Sequence, residues 1–370
     1  MKILEVIPNL RNGGAENFLV SLSNEIAKNK SVEVTILTLF SPSKLDEILI
    51  KRLSTNVKLV SLNKKLGVDI KCMFDVYKFI KKHRFDIAHF HINAILYCFV
   101  ASVLFRKCKY FVTIHSDAYK EAQGIHRLVR KIMFTFGMAY PITISNESDR
   151  SFRELYKCDA KIIYNGVTPY IKSEEIDIEK YKKTPETKVF VNVASVQPLK
   201  NQVAMANVFN RLIEEGEDVA LLFVGCYTDA HIEYANELIN TLSENVRFLG
   251  ESSNPRDYML KANYFILASH YEGLPITLLE ALSVECIPVV TAVGGNIDVV
   301  KDEYNGYLIK DPSEESIYKT IKKIIKTGEL EKDSIKEHIL KDVNIYTIKE
   351  CVTQHLKLFE SKLYSKEVRQ

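Results

Sequence analysis

The 370-residue chain carries 50 Lys+Arg against 47 Asp+Glu and is 46% hydrophobic, the balance of a soluble globular protein. That length exceeds what one hydrophobic core usually serves, so two domains are expected. Seven cysteines stand apart at 72, 98, 108, 158, 226, 286 and 351. No close pair suggests a zinc site or a redox motif, and they read as reduced thiols of a cytoplasmic protein.

In chain order, "KILEVIP" (2–8) reads as a strand from the start, so no cleaved signal is expected. "AENFLVSLSNEIAK" has helical period, and "EVTILTLF" (33–40), "FDIAHFH" (85–91), "KYFVTIH" (109–115) and "PITIS" (141–145) are further strands. The longest apolar run, Ala94 to Phe105, is about half the ~20 residues needed to cross a bilayer and is expected to be a buried helix. Residues 169–187 turn polar and charged, which predicts a linker after a first domain of 1–168. "KVFVNVAS", "VALLFVG", "VRFLG", "YFILASH" and "IPVVTAV" then resume the alternation in a second domain, 188–345. A helix over 346–370 is expected to pack back on the first domain. Strands alternating with helices predict an α/β protein of two doubly wound, Rossmann-like domains facing a cleft. No repeat of 20 to 50 residues is evident.

The net charge of +3 hides an asymmetry. Residues 1–168 hold 26 basic and 15 acidic side chains, net +11, while the remainder holds 24 and 32, net −8. A basic half suggests an anionic partner such as a membrane surface, a lipid phosphate or nucleic acid.

Ligands of doubly wound sheets sit beyond the carboxyl ends of the strands. After the first strand, Gly13-Gly14 lets the backbone approach an anion at a helix N-terminus, although the full dinucleotide fingerprint is absent. His115 ends a core strand, where it can donate to a substrate hydroxyl or a phosphate. His89 and His91 alternate onto one strand face. With no third ligand spaced for a metal they read as structural, His91 being a cleft candidate. Lys200 stands just before a helix, which the macrodipole disfavours unless an anion lies between, so it points to a phosphate. In "YFILASHYEGLPITLLEAL", Glu272 precedes a helix starting near Pro275 and Glu280 lies in its second turn. Carboxylates repel a diphosphate but accept well from hydroxyls. Two of them beside one lysine suit a ligand with sugars at both ends of a diphosphate, the layout of a nucleotide sugar. Gly294-Gly295 could hold such a donor through its backbone.

These residues resemble the retaining glycosyltransferases of bacterial family 4, which have the GT-B fold. The resemblance runs along the whole chain through "GGAE" (13–16), "IHSD" around His115, "YNGV" (164–167), "LKN" (199–201), "EGLPITLLEA" (272–281) and "GGNID" (294–298). It implies transfer of a hexose from a UDP-, GDP- or dTDP-sugar to a saccharide or lipid-linked hydroxyl in capsule or lipopolysaccharide assembly. In that frame Glu272 contacts the transferred sugar, Glu280 the ribose, Lys200 the diphosphate, and His115 lies near the sugar. Gly13, Gly14, Ser195, Gly225, Gly273, Leu274 and Pro275 complete the donor site. Asn12, Glu16 and His91 meet the acceptor.

Three positions depart from the pattern. Ser195 replaces an arginine that would be a second diphosphate cation, which would cost roughly a few kcal/mol of transition-state stabilisation. Cys286 and Asp298 stand where glycine and glutamate are common. No Asp-x-Asp triplet occurs, so a metal-independent reaction without cofactor is expected. Lys64, Lys65, Lys81, Lys82, Arg84, Arg106, Lys107 and Lys109 are expected to draw the first domain to an anionic inner membrane face as a peripheral protein. No nucleic-acid module accompanies them. The competing expectations are a nucleotide-sugar epimerase of the same architecture, or a nucleotide-sugar-binding protein with weakened catalysis.

Overall fold

Each β-branched run between turn residues becomes a strand, and most are followed by a helix that carries the chain back to start the next parallel strand. The computed structural model describes residues 1–11, 13–41, 47–172 and 176–364, and divides into two units, Met1–Thr168 with Ile345–Gln370, and Pro169–Asn344. Asn12, expected at the acceptor, lies outside the described residues.

The first unit holds β1 (Lys2–Ile7), β2 (Glu33–Thr38), β3 (Val57–Ser61), β4 (Ile87–His91), β5 (Lys109–Ile114), β6 (Tyr140–Thr143) and β7 (Lys161–Ile162), in the order β3-β2-β1-β4-β5-β6-β7. The second holds β8 (Lys188–Val193), β9 (Val219–Val224), β10 (Val246–Phe248), β11 (Tyr264–Leu267), β12 (Ile287–Thr291) and β13 (Tyr307–Ile309), in the order β10-β9-β8-β11-β12-β13. All pairings between these strands are parallel. In each sheet the order reverses beside the first strand, between β1 and β4 and between β8 and β11, where crevices open at the carboxyl ends. The sequence reading missed β3, β7 and β13. All three lie at sheet edges or are only two or three residues long, so they lack a continuous apolar run.

The apolar run 94–105 is not one buried helix. A 3₁₀ turn, Ile92–Tyr97, leads into a short helix, Cys98–Leu104, whose Leu104 is 54% exposed. The stretch expected as a linker, 169–187, joins the second unit: Ile178 is buried, and the Thr187 hydroxyl donates to Asp218 Oδ1 at 2.6 Å. After the second unit the chain returns to the first. The Val167 amide donates to the Tyr346 carbonyl (2.9 Å) and the Ile348 amide to the Val167 carbonyl (2.9 Å). The helix Ile348–Tyr364 then covers one face of the first sheet, with the Phe359 ring 4.5 Å from that of Phe111 and 5.6 Å from that of His89. Both faces of a parallel sheet must be covered, and this helix supplies part of one cover.

Candidate functional site

In the second unit the β8 end turns through a 3₁₀ segment, Pro198–Lys200, before the helix Gln202–Glu214. Asn201 takes the left-handed conformation there (φ 61°), and its amide donates to the carbonyls of Ala268 (3.2 Å) and Pro312 (2.7 Å). This ties the lysine loop to the loop after β11, as does the His270 amide donating to the Leu199 carbonyl at 2.9 Å. Lys200 and Glu272 thereby meet. Lys200 Nζ donates to Glu272 Oε1 at 2.6 Å, and Ser269 Oγ donates to the same oxygen at 2.6 Å. Their side chains are only 17% and 7% exposed, so this pair is sheltered from water at the expected phosphate position.

The glutamate loop is itself held from behind. Gly294 adopts φ +53°, and a Cβ there would fall 1.7 Å from the Glu272 carbonyl oxygen. The Gly295 amide donates to the Gly273 carbonyl at 2.7 Å. The glycine pair therefore secures the backbone that carries Glu272, a task the sequence reading did not foresee. Leu274 and Pro275 are buried, and Pro275 opens the helix Ile276–Ser283, whose second turn carries half-buried Glu280. Gly225, at φ +155°, approaches β8 so closely that a Cβ would lie 2.0 Å from the Ala194 carbonyl oxygen. Exposed Ser195 accepts from Gln197 Nε2 at 2.7 Å, a neutral pair where a cation was expected.

In the first unit Gly13 caps the helix Gly14–Ile26 with extended backbone, and half-buried Glu16 stands in its first turn. Burial raises the Glu16 carboxyl above its ordinary value, opposed by its own amide N–H and by Arg11. The carboxylate thus lies at the helix N-terminus where an anion was anticipated, and Gly14 has open space around it.

The His89/His91 face is where the sequence reading needs correction. Register pairs Glu5 of β1 with His89 of β4, and His91 with Thr113 of β5. Glu5 is the third group that no local spacing revealed: its Oε2 lies 2.8 Å from His91 Nε2 and 3.0 Å from His89 Nδ1. His89 Nε2 is 2.7 Å from the Thr113 hydroxyl, and His91 Nδ1 is 3.0 Å from His115 Nε2. His91 is fully buried with both ring nitrogens engaged, so it can reach an acceptor only through His115. Half-buried His115 follows the carboxyl end of β5, with its ring 6.3 Å from that of Phe18. Its amide and that of Ser116 donate to Glu121 Oε2 (2.7 and 3.1 Å), while Arg130 donates to Glu121 Oε1 at 2.9 Å. Neither Glu121 nor buried Arg130 was anticipated. Burial drives His91 down to about 4 and holds His115 well below the ordinary imidazole range. Burial would raise the Glu5 carboxyl, but the neighbouring His89 and His91 outweigh it and hold it well below the usual range.

The eight basic residues do not form one patch. Lys64 and Lys65 follow the carboxyl end of β3, whereas Lys81, Lys82, Arg84, Arg106, Lys107 and Lys109 gather before β4 and β5, at the opposite sheet end.

Residues 12–169 match the family model described as Glycosyltransferase Family 4, and residues 173–339 that of Glycosyl transferases group 1. The capsular polysaccharide biosynthesis glycosyltransferase CapH of Staphylococcus aureus is 27% identical over 96% of this chain and 98% of its own. An α-1,4-N-acetyl-D-galactosaminyltransferase of Campylobacter jejuni, named for a PP-undecaprenol-linked saccharide, is 24% identical over 95% of this chain and 96% of its own. Among solved structures, Anabaena HepE in complex with UDP superposes with a TM-score of 0.77 at 17% identity, covering 98% of this chain and 100% of that one. With two parallel Rossmann-like units and both family models matched in order, the chain belongs to the family 4 glycosyltransferases of GT-B fold.

Proposed function

We propose that this glycosyltransferase moves a hexosyl unit from a nucleoside-diphosphate sugar, UDP-linked in the first instance, to a hydroxyl of a lipid-diphosphate-linked saccharide in cell-surface polysaccharide assembly. The carrying observation is the Lys200–Glu272 contact. A diphosphate would take Lys200 for its own negative charge, leaving Glu272 to accept from hydroxyls of the transferred sugar. Glu280 would accept from the ribose, and His115 would meet a sugar hydroxyl. No metal is asked of this donor site, since Lys200 and backbone N–H groups meet the charge building on the leaving group. The family supports retention at the anomeric carbon, the names of the relatives support the lipid-linked acceptor, and the HepE complex supports UDP.

Contact with an anionic membrane is supported by Leu66, Val68 and Ile70, which are 83%, 53% and 65% exposed beside Lys64, Lys65 and Lys71. Among the described residues no helix is long and apolar enough to cross a membrane, so the contact would be peripheral. The neutral Ser195–Gln197 pair favours slow turnover, because one expected leaving-group cation is missing.

One experiment tests the donor, the acceptor and the membrane together. UDP-, GDP- and dTDP-sugars are offered with a lipid-diphosphate sugar in anionic vesicles. One donor should raise the melting temperature by several degrees, by about 2.7 kcal/mol of linkage at a hundred times Kd. It should also yield a product of retained configuration, with the protein floating at low salt and released as salt screens the vesicles. No stabilisation by any donor would contradict the nucleotide-sugar reading, and protein left in the soluble fraction at low salt would contradict membrane contact.

A further inference from the structure

The first sheet buries a run of polar side chains that the donor chemistry does not use: Thr113, His89, Glu5 and His91, ending at half-buried His115 just past β5. We infer that Glu5 and His91 are positioning residues that fix the tautomer of His115, so that His115 presents Nδ1 to the substrate as a hydrogen-bond acceptor. The inference rests on the reading above, in which His115 meets a substrate hydroxyl.

A carboxylate only accepts, so the nitrogen facing it at 2.8 Å, His91 Nε2, must carry the proton. A neutral imidazole has one N–H, so His91 Nδ1 is a lone pair. The nitrogen facing that lone pair at 3.0 Å, His115 Nε2, is then protonated in its turn, which leaves His115 Nδ1 as the acceptor. His115 Nδ1 has no protein partner among the described residues. The second branch is looser: His89 Nε2 lies 2.7 Å from the Thr113 hydroxyl, while His89 Nδ1 approaches Glu5 Oε2 to 3.0 Å without a hydrogen bond among the described residues. One anion and three neutral rings satisfy these contacts, in keeping with the downward displacement of all three imidazoles and of the carboxyl. The helix Ile348–Tyr364 seals the face with His355 and Phe359. A low dielectric there keeps the order of donors and acceptors from being scrambled by water.

The consequence is specific. A histidine that only accepts selects a hydroxyl and rejects a bare phosphate oxygen, which assigns it to the sugar and not to the diphosphate.

The competing occupant of the cluster is a metal ion. Glu5, His89 and His91 could supply three ligand atoms, and Glu5 Oε1 has no partner among the described residues. A metal would displace the two protons that face Glu5.

The test begins with unsubstituted protein labelled with ¹⁵N-histidine, in long-range ¹H–¹⁵N spectra without substrate. His115 and His91 should both appear as neutral Nε2–H tautomers, and no zinc should co-purify. A His115 Nδ1–H form, an imidazolium at neutral pH, or one equivalent of zinc would each overturn the inference. Next, Glu5→Leu removes the acceptor that holds the proton on His91 Nε2, so His91 and His115 should each lose the single Nε2–H form and show both tautomers. We expect kcat to fall by about 10- to 100-fold, as for loss of one oriented group. The Kd of UDP, bound by the other unit in our reading, should hold within twofold. A purely structural role would lower the melting temperature while His115 keeps its single tautomer. Unchanged kcat with a mixed tautomer would overturn the positioning role, while absence of transfer in the unsubstituted protein would instead fault the functional reading. Should Glu5→Leu fail to fold, the spectra of the unsubstituted protein still decide the tautomer.

Discussion

Replacing Lys200 by alanine is expected to lower kcat for sugar transfer by roughly 10²- to 10³-fold, the cost of removing one preorganised group that meets charge developing on a leaving group. The effect should fall at the upper end, because Ser195 and Gln197 leave no second cation at the neighbouring position to share the load. Stability should change much less. Glu272 keeps the Ser269 hydroxyl at 2.6 Å but loses its charged partner, so unfolding should become easier by about 1–3 kcal/mol while remaining cooperative. Lys200→Met serves as the control that retains the apolar stem. Steady-state kinetics beside thermal melts separate the two effects. Transfer within tenfold of the unsubstituted enzyme would contradict the role assigned to the ammonium group.

Gly294→Ala should damage both stability and transfer, through one cause. The left-handed backbone costs a β-carbon about 1–2 kcal/mol, and the added methyl would sit 1.7 Å from the Glu272 carbonyl oxygen, a separation no rotamer can relieve. The loop must move, and with it the Gly295 to Gly273 hydrogen bond and the Glu272 side chain, which in the proposed function faces the donor. We expect a loss of about 2–4 kcal/mol and a melting temperature lower by roughly 5–12 °C for a unit of this size. At temperatures where the variant is still folded, kcat should fall at least tenfold, since a displacement near 1 Å at a reacting group is costly. Gly14→Ala is the contrast: nothing lies within 4 Å of a Cβ there, so the fold should tolerate it.

Much of this was legible because chemistry at strand ends leaves local marks. Lys200 before a helix is a cation where the macrodipole disfavours it without an anion, and Glu272 and Glu280 are carboxylates astride a Gly-Leu-Pro turn at the end of an apolar strand. Their meeting was not legible, since 72 residues separate the lysine from its carboxylate and only the β8–β11 pairing brings the loops together. Glu5 did leave a mark that went unread. A carboxylate in the middle of "KILEVIP", a strand covered on both faces, requires partners, and the alternating histidines of "FDIAHFH" were the group to match it with. The edge strands β3, β7 and β13 were missed because a strand with one neighbour, or of two to three residues, carries no continuous apolar signal. The basic residues misled in the other direction. Close in sequence order, they are divided between two ends of a parallel sheet, because each helix reverses the chain before the next strand begins.

The central claim is that Lys200 exchanges a carboxylate partner for a diphosphate when donor arrives. A crystal structure with an intact nucleoside-diphosphate sugar tests it most directly. Lys200 Nζ should have left Glu272 Oε1, now 2.6 Å away, for a diphosphate oxygen at about 3 Å, with Glu272 accepting from hydroxyls of the sugar. A donor bound with the Lys200–Glu272 pair intact and its phosphates held elsewhere would contradict the account.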